Sequence, residues 1–553
     1  MAGVGFFHHC GVSMQRTRFA IQHWVWMLLL SLTMSFSAAT HADDSTLQAG
    51  IQNLLAKGFS QKIEGVNQIV ESGDPRAEQI LQALLDKQLF SVKADNTLVF
   101  YDKKTDEAQA KQVLTGEPVA VASAKDLSRI RTNNRMRGQI KQLLASIQLM
   151  NPDDAMRLAA VKAMVGNVSP DQVDSIRTLA EKEANPDIKK EMQTLVQLAE
   201  LKSDDADVVK AAIAGLAGNL NQQVRPTLQA LTESDDASIA AAATQTLVEI
   251  DNKVTWYGHL ETLFFGLSLG SVLVLAAIGL AITFGVMGVI NMAHGELIML
   301  GAYTTYTIQT YVLPNFPGVS LIVSIPAAFV VSGLVGVLIE KTVIRHLYGR
   351  PLETLLATFG ISLILQQAVR TIFSPLNRSV ETPEWMSGSI QINEVLSLTL
   401  NRLYVIAFCL VVFALLFMVL KKTSLGLQVR AVSQNRGMAR AMGVKASRVD
   451  AMTFGLGAGI AGVAGVALSQ LTNVGPNLGQ SYIIDSFMVV VFGGVGNLWG
   501  TLIAGFSLGI ANKFLEPWAG AVLAKILVLV FIILFIQKHP RGLFPQKGRA
   551  ADN

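Results

Sequence analysis

The sequence predicts an all-α protein in two parts: a polytopic α-helical membrane domain, preceded by an extracytoplasmic helical-repeat domain with a small β-hairpin. The 553-residue chain is 51% hydrophobic, and its mean hydropathy is +0.40. A soluble protein of this length does not need so much apolar surface. The two parts differ in composition, because residues 43–254 are charged and helix-forming whereas residues 260–537 contain long apolar runs with few charges.

Residues 1–42 are predicted to be a signal peptide. Arg16 and a second arginine precede the apolar stretch 19–36, and small residues follow up to Ala42. This order of basic, apolar and small residues is typical of an export signal cleaved after a small residue. An uncleaved anchor helix and a true start at Met14 remain alternatives. Each alternative places the next domain outside the cytoplasm.

Residues 43–254 are predicted to form a periplasmic domain of short amphipathic helices, weakly similar to HEAT repeats. Segments such as 151–154 and 185–187 begin with Asn or Asp, often followed by Pro. Asn and Asp cap helices, and Pro costs no hydrogen bond in the first turn. Segment 89–101 has apolar residues on either side of a polar turn and predicts a small β-hairpin. No nucleophile, metal cluster or phosphate loop stands out, so we expect a binding, scaffolding or spacer domain.

Residues 255–545 are predicted to form the membrane domain, and residues 546–553 a cytoplasmic tail. Apolar runs of about membrane-spanning length recur through this half. The stretch 482–512 is interrupted by glycines and is counted as two crossings, which gives nine crossings in total. If the first domain lies outside, nine crossings place the C-terminus inside. The other runs are near 260–284, 296–313, 319–340, 352–373, 402–420, 451–470 and 518–537.

Loop charges agree with this orientation. The predicted inside loops are rich in Lys and Arg, as the positive-inside rule requires. The long predicted outside loop, 374–401, instead holds one Arg and three Glu. Topology therefore explains the net charge of +4 better than nucleic-acid binding does. The basic residues of the inside loops are Lys341, Arg345 and Arg350; Lys421, Lys422, Arg430, Arg436, Arg440, Lys445 and Arg448; and Lys538, Arg541, Lys547 and Arg549.

Polar residues near the apolar runs are candidates for a solute pathway. Asn291, His294 and Glu296 lie between the first two runs and are flanked by glycine. Such a pattern indicates either an interrupted helix that lines a polar path or a short cytoplasmic turn. The further candidates are Gln366 and Gln367 in the fourth run, for which helix–helix hydrogen bonding is the alternative, and Asn497 in the glycine-broken stretch.

Two segments predict contacts between helices and between chains. Five glycines in residues 455–465 predict a tight helix bundle, because small residues let backbones approach closely in a membrane. The basic segment 421–450 is long and amphipathic, and it predicts short helices that dock in a partner's groove. The alternative is a solvated, positively charged loop that lies near anionic membrane lipid.

Residues 260–545 resemble the permease subunits of branched-chain amino-acid-type ABC importers. The resemblance rests on segments 288–296, 357–362, 491–497 and 540–544, and on spaced residues in the loop 421–450. It implies that this loop couples to a cytoplasmic ABC ATPase, which binds ATP. It also implies a second permease subunit and a periplasmic solute-binding protein. The loop residues that match are Arg430, Ala431, Asn435, Ala439 and Gly443.

The added N-terminal domain further resembles permeases of urea importers. The expected function is therefore ATP-driven passage of urea or a short amide across the inner membrane. No phosphate-binding Gly-rich loop with Lys occurs in this chain, so a partner or a gradient must supply the energy. Few charges lie inside the runs, which favours a neutral solute. The alternatives are an amino-acid permease, an ATP-independent channel or carrier, and a membrane-anchored sensor. No enzyme, metal site or cofactor is expected in this chain.

Overall fold

The computed structural model describes residues 44–101, 110–119, 126–166, 168 and 172–544. The predicted signal peptide and cytoplasmic tail lie outside these residues. The chain divides into two units, Met1–Leu247 and Val248–Asn553. The division falls inside one helix, a few residues before the predicted boundary at 254. Each unit is described by itself.

The first unit is mostly helical. Its helices form two apolar clusters: one lies under helices α1–α4 and the sheet, and the other lies between α4, α5, α6 and α7. The helices are α1 Asp44–Leu55, α2 Phe59–Glu71, α3 Arg76–Leu85, α4 Asn134–Gln148, α5 Asp154–Met164, α6 Val173–Lys182, α7 Pro186–Glu200, α8 Ala206–Gly215 and α9 Val224–Leu231.

Several of these helices begin where the sequence predicts. Asp153, Asn185 and Asp205 cap α5, α7 and α8, because each side chain accepts a hydrogen bond from a backbone N–H of the first turn. Pro186 occupies the first turn of α7, where its missing N–H costs nothing. The helix starts are thus confirmed, while the HEAT-like repeat remains a prediction.

The first unit also contains an antiparallel sheet. Its first two strands form the predicted hairpin, with Leu89 opposite Phe100. Three more short strands extend the hairpin into a five-stranded sheet of order β4-β3-β2-β1-β5. The all-α prediction is therefore wrong for this unit. The strands are β1 Leu89–Val92, β2 Leu98–Phe100, β3 Ala110–Gln112, β4 Pro118–Val119 and β5 Leu127–Arg129.

The second unit is a bundle of apolar helices. Six helices in the described part of the chain are long and apolar enough to cross a membrane: α10, α12, α13, α14, α17 and α19. The helices are α10 Ala237–Met287, α11 His294–Thr307, α12 Pro317–Thr342, α13 Pro351–Phe373, α14 Leu400–Lys422, α15 Ser424–Gln434, α16 Arg436–Ala441, α17 Ala446–Ser469, α18 Leu478–Gly493 and α19 Leu498–Lys538. A π-helix, Ile308–Val312, extends α11, and a hairpin of β6 Ser389–Gln391 and β7 Ser397–Thr399 lies in the predicted outside loop.

Two features relate these helices to the nine predicted crossings. Helix α19 contains a non-helical residue, Gly520 with φ 76° and ψ 160°, so its 41 residues comprise two segments. Helices α11 and α18 have only 14 and 16 residues, about 21 and 24 Å at 1.5 Å per residue. With the two parts of α19 counted separately, nine helical segments correspond to the nine predicted apolar crossings.

Helix α17 lies at the centre of the second unit, where nearly all its residues are buried. Its glycines meet the backbones of neighbouring helices. A Cβ atom on Gly301 of α11 would overlap the carbonyl oxygen of Gly462, and one on Gly465 would overlap that of Ile298. Small residues therefore set the distance between these helices, as the glycine pattern predicts.

Candidate functional site

A break between α10 and α11 carries the first candidate residues. Helix α10 ends at Met287, and Gly288 adopts φ 64°, a left-handed conformation that suits glycine. Helix α11 then begins at His294. Asn291, His294 and Glu296 are 1%, 0% and 1% exposed. All three side chains are therefore buried among helices, and their role in a polar path remains a prediction.

The three side chains are only partly satisfied by hydrogen bonds. Asn291 Oδ1 accepts from the N–H of Ala293 at 3.0 Å. His294 Nε2 lies 2.9 Å from the carbonyl oxygen of Ala276, which can only accept, so Nε2 carries the proton. One polar atom of each residue, Asn291 Nδ2, His294 Nδ1 and Glu296 Oε2, has no hydrogen-bond partner among the described residues. Buried polar atoms usually have partners, so this break is the strongest candidate for contact with a polar solute.

Helix α13 presents a row of polar residues to this break. Thr354, Thr358, Ser362 and Gln366 recur every four residues and are 1%, 0%, 4% and 6% exposed. Residues four apart lie on one face of a helix, and this row extends about 18 Å along the axis. The row therefore crosses most of the thickness of a bilayer core.

Contacts join the row to three other segments. The hydroxyl of Thr358 accepts from the N–H of Met292 at 3.2 Å, and that of Ser362 donates to Glu296 Oε1 at 3.0 Å. Gln366 donates to Asn477 Oδ1 at 3.2 Å. Gln366 was predicted from the sequence to line the pathway, whereas Thr358 and Ser362 were not. Their four-residue spacing was the signal that could have identified them.

Gln367 and Asn497 lie apart from this group. Gln367 is exposed on the other side of α13. Asn497 Oδ1 accepts from the N–H of Gly500 at 3.1 Å, and its Nδ2 donates to the carbonyl oxygen of Phe544 at 3.2 Å. Asn497 therefore caps the start of α19. Its hydrogen bond to Phe544 also holds the segment that follows α19 against the α18–α19 junction.

The loop 421–450 folds into the predicted short helices, α15 and α16. Asn435 caps α16 by accepting from the N–H of Met438 at 2.9 Å. Its own N–H donates to the carbonyl oxygen of Ala431 at 3.1 Å, and Arg430 donates to that of Leu420. These contacts shape the loop from within.

Ala439 and Gly443 occupy different positions in this loop. Ala439 is 5% exposed and packs in an apolar cluster that also contains Val429 and Val449. Gly443 is exposed and adopts φ 88°. Two exposed apolar side chains lie here: Met438 of α16 and Met442, the residue that follows α16, which are 61% and 78% exposed. A docking partner would therefore contact the methionines, while Ala439 supports them from inside.

Arg436 anchors α16 to the rest of the second unit. Its guanidinium forms an ion pair with Asp450 of α17, and Asp450 is fully buried. The same group lies 4.7 Å from the centre of the Tyr348 ring, a favourable cation–π distance. A displacement of α16 would therefore pull on the start of α17.

An ion pair between two helices of the bundle was not predicted from the sequence. Lys525 Nζ donates to Asp485 Oδ2 at 2.9 Å, joining α19 to α18. The side chain of Asp485 is 8% exposed and that of Lys525 is 53% exposed. Charges at membrane depth are costly and usually serve a function. No group of His, Cys, Asp or Glu that could hold a metal occurs in the described ranges.

The apolar helices, the interrupted helix and the buried polar row are features expected of a multi-pass membrane protein. Residues 262–536 match the family described as branched-chain amino acid transport system / permease component. This part of the chain is therefore similar to the permease components of that family. The match leaves the residues before 262 without a counterpart in the family.

Curated relatives support the same assignment. The high-affinity branched-chain amino acid transport system permease protein BraD of Pseudomonas aeruginosa is 29% identical over 296 residues, which cover 52% of this chain and 96% of BraD. LivH of Escherichia coli, with the same description, is 29% identical over 293 residues, 51% of this chain and 94% of LivH. The ribose import permease protein RbsC of Haemophilus influenzae is 23% identical over 275 residues, 48% of this chain and 81% of RbsC. No solved structure matches the chain.

Proposed function

We propose that this chain is the permease subunit of an ABC importer that carries an amino acid of the branched-chain type. We infer the substrate class from the ion pair between Asp485 of α18 and Lys525 of α19. A carboxylate and an ammonium are the partners that a zwitterionic amino acid needs for its own ammonium and carboxylate. The relatives BraD and LivH are branched-chain amino acid permease proteins by name, which supports this class ahead of urea.

The proposed pathway uses the break between α10 and α11. Asn291, His294 and Glu296 offer one unpartnered polar atom each, and Gln366 adds an amide further along α13. A solute that leaves its water shell can exchange those hydrogen bonds for protein ones at this depth. A second permease subunit and a periplasmic solute-binding protein complete the proposed importer.

The proposed energy source is a separate cytoplasmic ATPase that binds ATP and docks on α15 and α16. The exposed Met438 of α16 and Met442 just after it suit such a contact, because methionine packs adaptably against a groove. We expect Met438→Glu with Met442→Glu to abolish co-purification of the ATPase, since two carboxylates would enter an apolar contact. Gln428→Glu, an exposed change on α15, is the matched control. Full ATPase recovery with the double variant would contradict docking through α16.

A second candidate solute is urea or a short amide. The observation that favours it is the composition of the α13 row, since the hydrogen-bonding side chains of Thr358, Ser362 and Gln366 are all uncharged. Such a row suits a small neutral solute, whose site needs donors and acceptors but no ion pair.

The test is uptake of radiolabelled leucine and of radiolabelled urea at micromolar concentrations. Cells that lack this chain are compared with cells that regain it. Leucine uptake that is lost and restored supports the main proposal. Urea uptake that is lost and restored, with leucine uptake unchanged, selects the second candidate. Unchanged uptake of both solutes overturns both.

A further inference from the structure

A cavity of about 330 Å³ lies at one end of the helix bundle. It is bounded by the ends of α10 and α14, by α15 and by the α18–α19 junction. The proposed pathway does not use it, and the methionines of the proposed ATPase contact do not line it. Its lining residues are Ala281, Ile282, Gly285, Val286, Phe417, Leu420, Lys421, Gly426, Val429, Arg430, Ser433, Gly496 and Leu498.

The polar part of this cavity is positive. Lys421, Arg430 and Ser433 contribute two cations and a hydroxyl group, and the lining contains no Asp or Glu. Contacts within the chain fix the two cations. Lys421 Nζ lies 5.3 Å from the centre of the Phe417 ring, and Arg430 donates to the carbonyl oxygen of Leu420. Each cation keeps further N–H donors, so both can donate to a phosphate group in the cavity.

The remaining wall of the cavity is apolar. Ile282, Val286, Phe417 and Leu498 belong to it. A soluble anion such as inorganic phosphate would make no contact with this apolar wall. The headgroup of a zwitterionic lipid would bring its ammonium group towards two cations, which would repel it. An anionic phospholipid satisfies both parts of the cavity, with its phosphate on the cations and an acyl chain along the wall.

The position of the cavity along the bundle agrees with such a ligand. Helix α14 ends at Lys422, and the basic loop that follows is predicted to lie inside. The cavity then lies at the level of the inner leaflet, where basic pockets between membrane helices bind anionic headgroups. We propose that this cavity is a specific site for an anionic phospholipid of the inner leaflet.

The bound lipid would act on the loop that follows α14. Val429 and Arg430 of α15 line the cavity, and Val429 packs in the same cluster as Ala439 of α16. The lipid therefore steadies the loop at its first helix. This role does not depend on which solute the permease carries.

The test measures lipid binding to the full chain by native mass spectrometry, with phosphatidylglycerol as the probe. Lys421→Gln removes one cation from the cavity, and we expect about fivefold weaker binding, since a basic residue near a phosphate contributes about 1 kcal/mol. Lys422→Gln removes the same charge from the next residue, which does not line the cavity, and should leave binding unchanged. Equal losses in the two variants would overturn the proposal in favour of non-specific attraction.

A second pair of variants tests the apolar wall. Val286→Phe fills part of the cavity and should also weaken phosphatidylglycerol binding several-fold. Val411→Phe, on a 55% exposed surface of α14, should have no effect. Phosphatidylethanolamine should bind more weakly than phosphatidylglycerol, and inorganic phosphate should not displace the lipid. Equal binding of the two lipids, displacement by phosphate, or normal binding to Val286→Phe would each overturn the proposal.

Discussion

A hydrogen bond between two side chains connects α13 to α11 in the candidate site. Ser362 of α13 donates to Glu296 of α11 at 3.0 Å, and the second oxygen of Glu296 has no partner in the described part of the chain. The carboxyl group is therefore held in place by one contact and keeps acceptor capacity for a solute. Arrangements of this kind, polar and incompletely satisfied, are expected where a site must bind and release its ligand.

Ser362→Ala tests the importance of this contact. The substitution leaves both oxygens of Glu296 without a side-chain donor, at a cost of about 1 kcal/mol or more. We expect solute uptake to fall about fivefold or more, with the amount of protein in the membrane unchanged. The control is Ser324→Ala, because Ser324 is also fully buried but donates only within α12, to the carbonyl oxygen of Ser320. Equal uptake by the two variants would show that Ser362 has no special role.

In the first unit, an ion pair joins neighbouring helices. Arg157 of α5 donates through Nε and Nη2 to the two carboxylate oxygens of Glu183, at 2.9 and 3.0 Å. Glu183 also accepts from the N–H of Asn185, the residue that caps α7. Hydrogen bonds from Arg157 hold the pKa of Glu183 below its usual value. A lowered pKa means that the charged carboxylate stabilises the folded state.

The direction of this pKa shift gives a pH prediction. The stabilisation is present above the ordinary carboxyl pKa and is lost as the pH falls through the lowered folded value. The protection factors of the amide hydrogens in α5 and α7, which correct for the intrinsic pH dependence of exchange, should therefore fall as the medium becomes acidic through that range. Glu183→Gln should have lower protection factors already at neutral pH and show less change on acidification. Glu181→Gln, an exposed neighbour, is the control, and identical pH profiles for Glu183→Gln and the unmodified chain would contradict the prediction.

At the scale of helices, backbone contact holds the second unit together. Without a hydrophobic driving force between helices in lipid, close packing supplies much of their attraction. Gly301 and Gly462 meet at the contact between α11 and α17, where neither position has space for a side chain. The same contact fixes the position of α11 and hence of Glu296. Packing and site geometry are therefore coupled in this helix.

A matched pair of glycine substitutions separates packing from helix propensity. Gly301→Ala places a methyl group against the backbone of α17 and should lower the yield of folded protein and its melting temperature. Gly360→Ala, in α13, meets no atom within 4 Å and should be neutral or stabilising by up to about 1 kcal/mol. The measurement is thermal unfolding in detergent, and equal melting temperatures for the two variants would contradict close packing at Gly301.

Helix boundaries were predictable where composition decides them. The run 352–373 coincides with α13, Pro351–Phe373, and the run 319–340 lies within α12, Pro317–Thr342. In both cases Pro occupies the first turn, where it is favoured. The apolar run 296–313 predicted the end of α11 less accurately, because this α-helix ends at Thr307 and a π-helix continues it. Hydropathy is the same for an α-helix and a π-helix, so it does not distinguish them.

Features that depend on distant residues were not predictable from the sequence. Strands β3, β4 and β5 have only two or three residues each, too few for an alternating pattern. Asp485 and Lys525 are 40 positions apart, and only the fold brings them together. Asn291, His294 and Glu296 were identified because they are close in sequence, whereas the partner of Glu296, Ser362, lies on another helix.

At the scale of the whole molecule, the number of membrane crossings determines which side each loop occupies. The break at Gly520 divides α19 into two segments, and without the short helices α15 and α16 the described part of the membrane half then has nine helical segments. An odd number of crossings puts the first unit and the C-terminal end on opposite sides. Basic residues are concentrated between α14 and α17, and this loop is predicted to be inside. With that loop inside, the prediction is that the hairpin β6–β7 and the first unit lie outside.

Cysteine labelling tests this orientation, because a membrane-impermeant maleimide reaches only outer residues in intact spheroplasts. The native cysteines are first replaced. Lys202→Cys in the first unit and Ile392→Cys beside the β6–β7 hairpin, both at exposed positions, should label in intact cells. Ser447→Cys, exposed at the start of α17, should label only after lysis, because moving its basic loop outside would oppose the charge bias that orients membrane helices. Labelling of Ser447→Cys in intact cells would contradict the nine-crossing arrangement, and with it the docking of an internal ATPase on α15 and α16.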